Sequence, residues 1–358
     1  AFNMIEYFKR NGVVIQELKE DTGGYKKGDL VVDMAQAKRG YANHILYKGS
    51  NESAWAAMYA ELLVNFPNMR GFKAVAVFKE KLFDGKLGKV TALRATRTSE
   101  IDHKAPYYVI ANTSESAVRA VNRAIRDGKK VYLTDDGYIV DTPTFANLLK
   151  NYAIYGDALY KTPQGQTLKA LKVYAPPHQY YWAGVDTPAH TALALKNLGF
   201  DIVNTPEEAD VIVLESDNFD KSLLGLKPTI VVGGTAMQRL EELGVVDGFD
   251  AEQLKNGGDY EGLMKAIIDD KDPLTSGYNK NDLFYSNSGN WIAKVPANFK
   301  TLASIAGSDY YIAGWWPGNE QLANKIVAIS GNYKEQPLFI YAGNPTNRLH
   351  TIHFYRWV

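Results

Sequence analysis

From Leu171 onward the sequence follows one rhythm, in which short apolar runs alternate with helical stretches. "LKVYAPP" reads as a strand and "AHTALALKNLGF" as a helix closed by Gly199. "DIVNT", "ADVIVLES" and "PTIVVGG" read as further strands, the last running into the helix "TAMQRLEELG". Strands that alternate with helices of about 10–15 residues indicate βαβ units and a parallel sheet. "VIVLES" and "TIVVGG" are almost wholly apolar, as strands covered on both faces must be. The expected class is therefore α/β. A mainly parallel sheet with helices on both faces is expected over residues 168–358. Residues 270–312 break the rhythm with Gly, Asn, Tyr and short β-like pieces. "KIVAISGN" and "PLFIYAGNP" return to strand character, and "TNRLHTIHFYRWV" reads as a final helix that stops short of its natural end.

The N-terminal part carries an internal repeat. "AFNMIEYFKRNGVVIQ" (1–16) resembles "AVRAVNRAIRDGKKVY" (117–132). Both are amphipathic and end in glycine, Gly12 and Gly128, which can take the positive φ that closes a helix. A β-type run follows each, then a second short strand ending in Asp33 ("LVVDMAQ") or Asp141 ("YIVDTPT"). The first copy has the longer hairpin, "EDTGGYKKGD". The second is preceded by a strand and an N-cap signal, "YYVIANTSES". Residues 1–165 are thus expected to hold two related α/β units, with 1–35 and 117–143 equivalent as helix–strand–turn–strand. The chain opens at Ala1 inside a helical pattern, so the first unit is expected to be truncated at its N-terminus. Residues 42–72 are expected to be mostly helical, closed by Pro67 and Gly71. Residues 84–106 read as a connecting hairpin or loop. Residues 142–170 read as a helix and a polar link, "YKTPQGQT".

Composition narrows the function classes. Lys+Arg and Asp+Glu are both 40 in 358 residues, so no general attraction draws the chain to nucleic acid or an anionic membrane. With no cysteine, disulfides, thiolate catalysis and zinc–cysteine sites are excluded. No apolar run approaches the roughly 18–20 residues of a membrane span, and no signal peptide is visible. A count of 23 tyrosines leans the expectation towards an extracellular or cell-surface protein.

The strand–glycine–helix corner "TIVVGGTAMQRL" (229–240) is the first candidate site, through Gly233, Gly234 and Thr235. A nucleophile elbow needs Ser, Cys or Asp on its strained turn, whereas the residue available at this turn is Thr235. A phosphate-binding P-loop needs a Lys that this stretch lacks, and G-x-G-x-x-G is absent too. Backbone N–H groups at the helix start could still hold an anion, but a structural turn is the weightier reading. In it the Thr235 hydroxyl is expected to cap the following helix. No histidine stands in H-E-x-x-H. His350 and His353, three apart, could share a helix face, yet a metal would need a further ligand, and no metal or cofactor is expected. Asp135, Asp136, Asp269, Asp270 and Asp272 lie in turn-like contexts and read as solvated turns. The aromatic clusters "YYIAGWWPGNEQL", with Trp315 and Trp316, and "QYYWAG" could stack on a ligand, though core or domain-interface packing is the weightier reading. Lys38 and Arg39 open a helix, a poor place for cations, so a carboxylate partner or a ligand is expected beside them.

Five stretches taken together carry a resemblance: "GDLVVDMAQAKRGYANHIL", "AWAAMYAELLVNFPNMRGF", "DPLTSGYNKNDLFY", "AGWWPGNEQLANKIVAIS" and "LFIYAGNPTNRLHTIHFYRW". They resemble, in order and over essentially the whole chain, the region downstream of the catalytic domain in large secreted bacterial zinc carboxypeptidases. In those proteins this region ends in a domain similar to class I glutamine amidotransferases. The resemblance implies a flavodoxin- or amidotransferase-like C-terminal domain, with the catalytic domain or other chains of the same protein as partners. The family's peptidase centre uses a His and a Glu three apart, a third His ligand and a later Glu, and no such His–Glu pair stands here. The amidotransferase relatives use an elbow Cys with His and Glu partners, and "VVGGTAM" has no Cys. The expectation is a non-catalytic accessory region serving binding, packing or assembly. The alternatives are a self-assembling extracellular layer or filament protein, and an enzyme with an unrecognised site in the C-terminal crevice.

Overall fold

The computed structural model describes residues 2–55, 65–90, 101–180, 185–187, 189–254, 260–349 and 351–358. The chain begins with α1 (Phe2–Arg10), the antiparallel strands β1 (Gln16–Leu18) and β2 (Leu30–Val31), and α2 (Arg39–Leu46). The short α3 (Phe66–Met69) and β3 (Leu87–Lys89) follow, and β3 pairs with the other edge of β1. Met4, Phe8, Val13, Ala42 and Ile45 form the small core beneath them.

The next segment contains β4 (Tyr107–Ile110), α4 (Glu115–Arg126), β5 (Tyr132–Thr134), β6 (Gly137–Asp141), α5 (Thr142–Leu148), β7 (Gly156–Leu159) and β8 (Gln166–Thr167). Its antiparallel sheet has the order β7-β4-β6-β5-β8. The two segments share an order of elements: helix, hairpin, helix, with a later strand pairing to the first hairpin strand. Their helix ends also match. Gly12 N–H donates to Lys9 and Val13 N–H to Phe8, and Gly128 N–H donates to Ile125 and Lys129 N–H to Ala124. This double bond satisfies the last carbonyls and needs a left-handed residue, supplied by the glycines at φ 75° and 72°. The aspartates act differently. Asp141 caps α5 by accepting from Thr144 N at 2.7 Å, whereas Asp33 accepts from Ala35 N at 2.8 Å in a local turn ahead of α2.

The C-terminal part opens with β9 (Lys172–Tyr174), the hairpin β10 (His178–Tyr180) and β11 (Val185–Thr187), α6 (His190–Leu198), β12 (Asp201–Ile202), β13 (Val211–Leu214), β14 (Thr229–Val232) and α7 (Gly234–Glu242). It continues with β15 (Asp250–Gln253), β16 (Glu261–Ile268), β17 (Asn281–Ser286), β18 (Asn290–Lys294), β19 (Lys300–Ile305), β20 (Tyr311–Trp315), β21 (Ile326–Tyr333) and β22 (Gln336–Tyr341). Strands β12-β9-β13-β14-β22 are parallel neighbours. In chain order this is 2-1-3-4-5, the flavodoxin-like order, with its switch point between β9 and β13. The four strands expected to be parallel therefore sit together in one sheet. Right-handed crossovers running in opposite directions from that point put α6 and α7 on opposite faces.

The sheet does not stop at β22. It continues antiparallel through β21, β19, β16 and β17, with β15, β18 and β20 alongside, so the chain is a mixed α/β fold. The stretch that broke the βα rhythm is this antiparallel half. Within it, β21 and β22 are joined by Lys334 and Glu335 at φ 48° and 66°, the two left-handed residues of a hairpin turn matched to strand twist. One apolar core runs beneath both halves.

Other local expectations change. Between α2 and α3, residues 47–55 are not helical, and residues 56–64 lie outside the described set. Pro67 opens α3 rather than closing a helix, which suits its fixed φ. The polar link contributes β8. The C-terminal stretch expected to be a helix forms two 3₁₀ turns, Asn347–Leu349 and Ile352–Trp357, and the second buries Phe354 and Trp357, which a 3₁₀ turn places on one face, together with Tyr355.

The N-terminal segments are joined to the large sheet. Asn122 Nδ2 donates to Leu198 O at 2.9 Å, and Arg126 pairs with Asp201 at 2.5 Å. Met69 enters the large core. Asn51 bridges Gly314 on the edge of β20, where Gly314 N donates to Ser50 and Glu52 N donates to Gly314.

Asp282 in β17 faces His353 Nε2 at 3.8 Å. Burial alone would raise its pKa. The His353 contact, the Leu283 and Asn279 N–H groups and the Arg356 charge outweigh burial and hold it below the ordinary carboxylate value. A carboxylate depressed in the folded state contributes stability above its unfolded pKa of about 3.9 and loses it as pH falls through the folded value. Asp282→Asn should thus lower the urea midpoint at neutral pH, and the gap to the parent should close below pH ~3.9. A gap that stays constant down to acid pH would contradict this.

Candidate functional site: the carboxyl edge of the parallel strands

In an open parallel sheet, ligands bind in the crevice outside the carboxyl ends of the strands. Here that edge carries Glu215 after β13, Gly233 after β14 and residues 343–347 after β22, faced by the "SNSGN" loop between β17 and β18. Gly233 is the corner residue, at φ 87° and ψ 158°, a region open essentially to glycine alone. The strained position where an elbow enzyme keeps its nucleophile therefore has no side chain.

The space above the corner is filled from within. A Cβ placed on Gly233 would lie 2.8 Å from Asn344 Nδ2, and one on Gly234 only 1.9 Å from Asn290 Nδ2 and 2.8 Å from Ser288 Oγ. Asn290 is 1% exposed, and its Oδ1 accepts from Gln238 Nε2 at 3.1 Å. Asn344 Oδ1 accepts from Ser286 Oγ at 3.1 Å, Asn287 N at 3.3 Å and Ser288 Oγ at 3.3 Å. Behind it, Asn347 Nδ2 donates to Tyr285 OH at 2.7 Å, and Tyr285 OH donates to Glu261 Oε1 at 2.9 Å. This network is partly buried and neutral over most of its length, and Asn290 Nδ2 is the one amide group in it that is buried with no partner among the described residues.

The other helix start on this edge is also filled. Glu215 accepts from His190 N at 2.8 Å and Thr191 N at 2.6 Å, so a protein carboxylate occupies the N-terminus of α6. That is the position a ligand phosphate takes in comparable sheets. Thr191 and Thr346 hydroxyls bond at 2.9 Å and close the rim.

Thr235 is not the cap of α7. The helix begins at Gly234, Gly233 is its N-cap, and no side chain caps it. The Thr235 side chain is exposed at the second helical position, where its hydroxyl meets none of the described residues. Among the described residues no imidazole or carboxylate hydrogen-bonds to Ser286, Ser288 or Thr235. A hydroxyl nucleophile requires such a base. No group of three or more His, Asp or Glu side chains among the described residues could hold a metal ion.

The other sequence candidates lie elsewhere. Trp316 is 1% exposed in the core, near Tyr260. Trp315 is half-buried, packs edge-on against Tyr260 at 5.2 Å and donates Nε1 to Trp55 O at 3.0 Å, while Ser53 Oγ accepts from Trp316 N. The pair thus sits where the N-terminal segment meets the large sheet. Lys38 and Arg39 are exposed at the start of α2, with no carboxylate paired to either side chain among the described residues. Asp135 and Asp136 form the exposed turn between β5 and β6, and Asp272 caps a 3₁₀ turn and pairs with Lys300. Residues 181–184 and His350 lie outside the described set. Sequence reading missed Glu215, Asn290 and Asn344. The available signal was an acidic residue directly after a fully apolar parallel strand, and the run of small polar residues in "SNSGN".

No family model matches the chain, and no curated protein matches it. Solved structures similar to about half of it include three enzymes. A glutamine amidotransferase from Thermotoga maritima has 12% identity and TM-score 0.30, covering 50% of this chain and 77% of the other. A β-galactosidase from Bacillus circulans sp. alkalophilus has 9% identity and TM-score 0.31, covering 52% and 30%. An exo-β-1,4-mannosidase from Opitutaceae bacterium strain TAV5 has 11% identity and TM-score 0.29, covering 52% and 35%. Likenesses this slight fix no chemistry. No helix among the described residues is long and apolar enough to cross a membrane.

Proposed function

We propose that this chain is a non-catalytic accessory module, serving binding, packing or assembly, of a larger secreted zinc-carboxypeptidase-like protein. The observation that carries the non-catalytic part is the corner itself. Glycine occupies the strained position, and the Asn290 and Asn344 amides occupy the space a substrate would need. The link to a secreted parent rests on the five sequence stretches and on the two related N-terminal units. Its partners are then the parent's catalytic domain or further copies of the chain at the cell surface. The test is a turnover screen with esters, amides and glutamine, in which the chain should not exceed a heat-denatured control.

A specific observation favours assembly as the second reading. The backbone of residues 73–80 ("KAVAVFKE") makes no hydrogen bond to any described residue. Val75 is 55% and Phe78 93% exposed within it. A β-favouring segment that exposes Val75 and Phe78, and whose backbone has no partner among the described residues, is a template for strand pairing. Sedimentation at increasing concentration separates the readings: growth into large ordered species supports a layer or filament protein, and a constant mass supports the accessory module.

A further inference from the structure

A cavity of about 130 Å³ lies where α1, the end of α3, the start of α4 and the C-terminal 3₁₀ turn meet, away from the carboxyl edge of the large sheet. Arg70 and Glu115 both line it. Arg70 Nε is fully buried without a partner. None of the Arg70 N–H groups has an acceptor among the described residues, and the guanidinium lies over the Phe66 ring at 4.5 Å. Burial lowers the Arg70 pKa, partly offset by neighbouring charges that include Glu115. A guanidinium nonetheless stays protonated in a protein, and a half-buried cation whose Nε is fully buried without a hydrogen-bonded counter-charge is costly.

Glu115 does not pair with Arg70. It accepts from Ser116 Oγ at 3.2 Å and Arg119 Nη1 at 3.4 Å, which leaves lone pairs of the carboxylate for a further donor. The Ser114 hydroxyl is committed to Ala117 N, but the N–H groups of Glu115 and Ser116 have no acceptor among the described residues. Met4 and Ile352 supply an apolar wall. The cavity thus holds a cation and an anion that do not satisfy one another. Its volume is about four waters' share of liquid.

We propose that this cavity binds a small zwitterion with one carboxylate and one ammonium group, of the size of glycine or alanine. The carboxylate pairs with Arg70 and the first-turn N–H groups of α4, the ammonium with Glu115, and a methyl group rests on Met4 and Ile352. Glu115 disfavours a dianion such as phosphate, and Arg70 disfavours a simple amine.

The test is calorimetric titration of the whole chain with L-alanine, glycine, acetate, methylammonium and phosphate. L-alanine or glycine should bind, and the three single-charge probes should bind at least roughly tenfold more weakly. Arg70→Gln should weaken alanine binding by at least about tenfold. Glu115→Gln should bring acetate level with alanine. Ala153→Leu, which fills the cavity from its lining, should abolish binding in a chain that still melts cooperatively, and it carries the test if Arg70→Gln does not fold. Three results overturn the proposal: no binding by alanine or glycine, acetate or phosphate binding as tightly as alanine, or alanine affinity unchanged in the folded variants.

Discussion

Truncating Trp316 to alanine should cost about 3–5 kcal/mol, the range for removing a large aromatic side chain from a packed core. Trp316 is 1% exposed, and its ring is stacked so closely on Gly262 that a Cβ there would lie 3.0 Å from Cε3. Its indole N–H has no partner among the described residues, so no hydrogen bond to them is lost and the cost is packing. The neighbouring Trp315→Ala should cost far less, since that ring is half-buried and its loss releases one bond to Trp55 O. Urea midpoints of the two variants measure the difference. If Trp316→Ala lowers stability by less than ~1 kcal/mol, the ring is not core, and a ligand-stacking role for the pair would return.

The second large effect belongs to the corner. Gly234→Ala changes one hydrogen to a methyl group on a residue whose φ any L side chain can adopt, yet the added carbon would overlap the Asn290 amide, with Nδ2 at 1.9 Å and Cγ at 2.4 Å. Asn290 cannot simply swing away, because it is buried and held by Gln238. Overpacking of this kind costs about 1–3 kcal/mol. Asn290→Ala in the same chain should return much of that loss, as residues in direct contact couple by roughly 0.5–3 kcal/mol. Denaturant midpoints of the four proteins in the cycle give the coupling. Strict additivity would mean that the crevice is open over Gly234 and not filled by Asn290.

The parallel half of the sheet was legible because each of its strands announces itself. "VIVLES" and "TIVVGG" are apolar on both faces, and α6 ends on the Gly199 signal. The antiparallel half was not legible for an equally local reason. β16 reads "EGLMKAII", a pattern that suits a helix as well as a strand, and only pairing to β17, β19 and β20 makes it extended. At the site, the glycine corner was legible as a turn. The Thr235 cap was not, because a cap depends on where the helix begins, and Gly233 at positive φ starts it before Thr235 is reached. Asn290 and Asn344 meet the corner only because β22 lies next to β14 and the β17–β18 loop folds over both. Arg70 was hidden by its context: "FPNMRGF" is all termination signal, and the cavity it lines is completed by four other segments, at Met4, residues 113–116, Ala153 and residues 352–353.

The central claim, that this corner performs no chemistry, is tested most directly by comparing the parent chain with Thr235→Ala in one paired measurement of hydrolysis and stability. Thr235 carries the only hydroxyl in the turn, is exposed, and caps nothing. A surface substitution of this kind changes stability by no more than about 0.5 kcal/mol. The account predicts no turnover of ester, amide or glutamine by either protein and denaturant midpoints that coincide. Turnover by the parent that disappears in Thr235→Ala, with the midpoint unchanged, would contradict it.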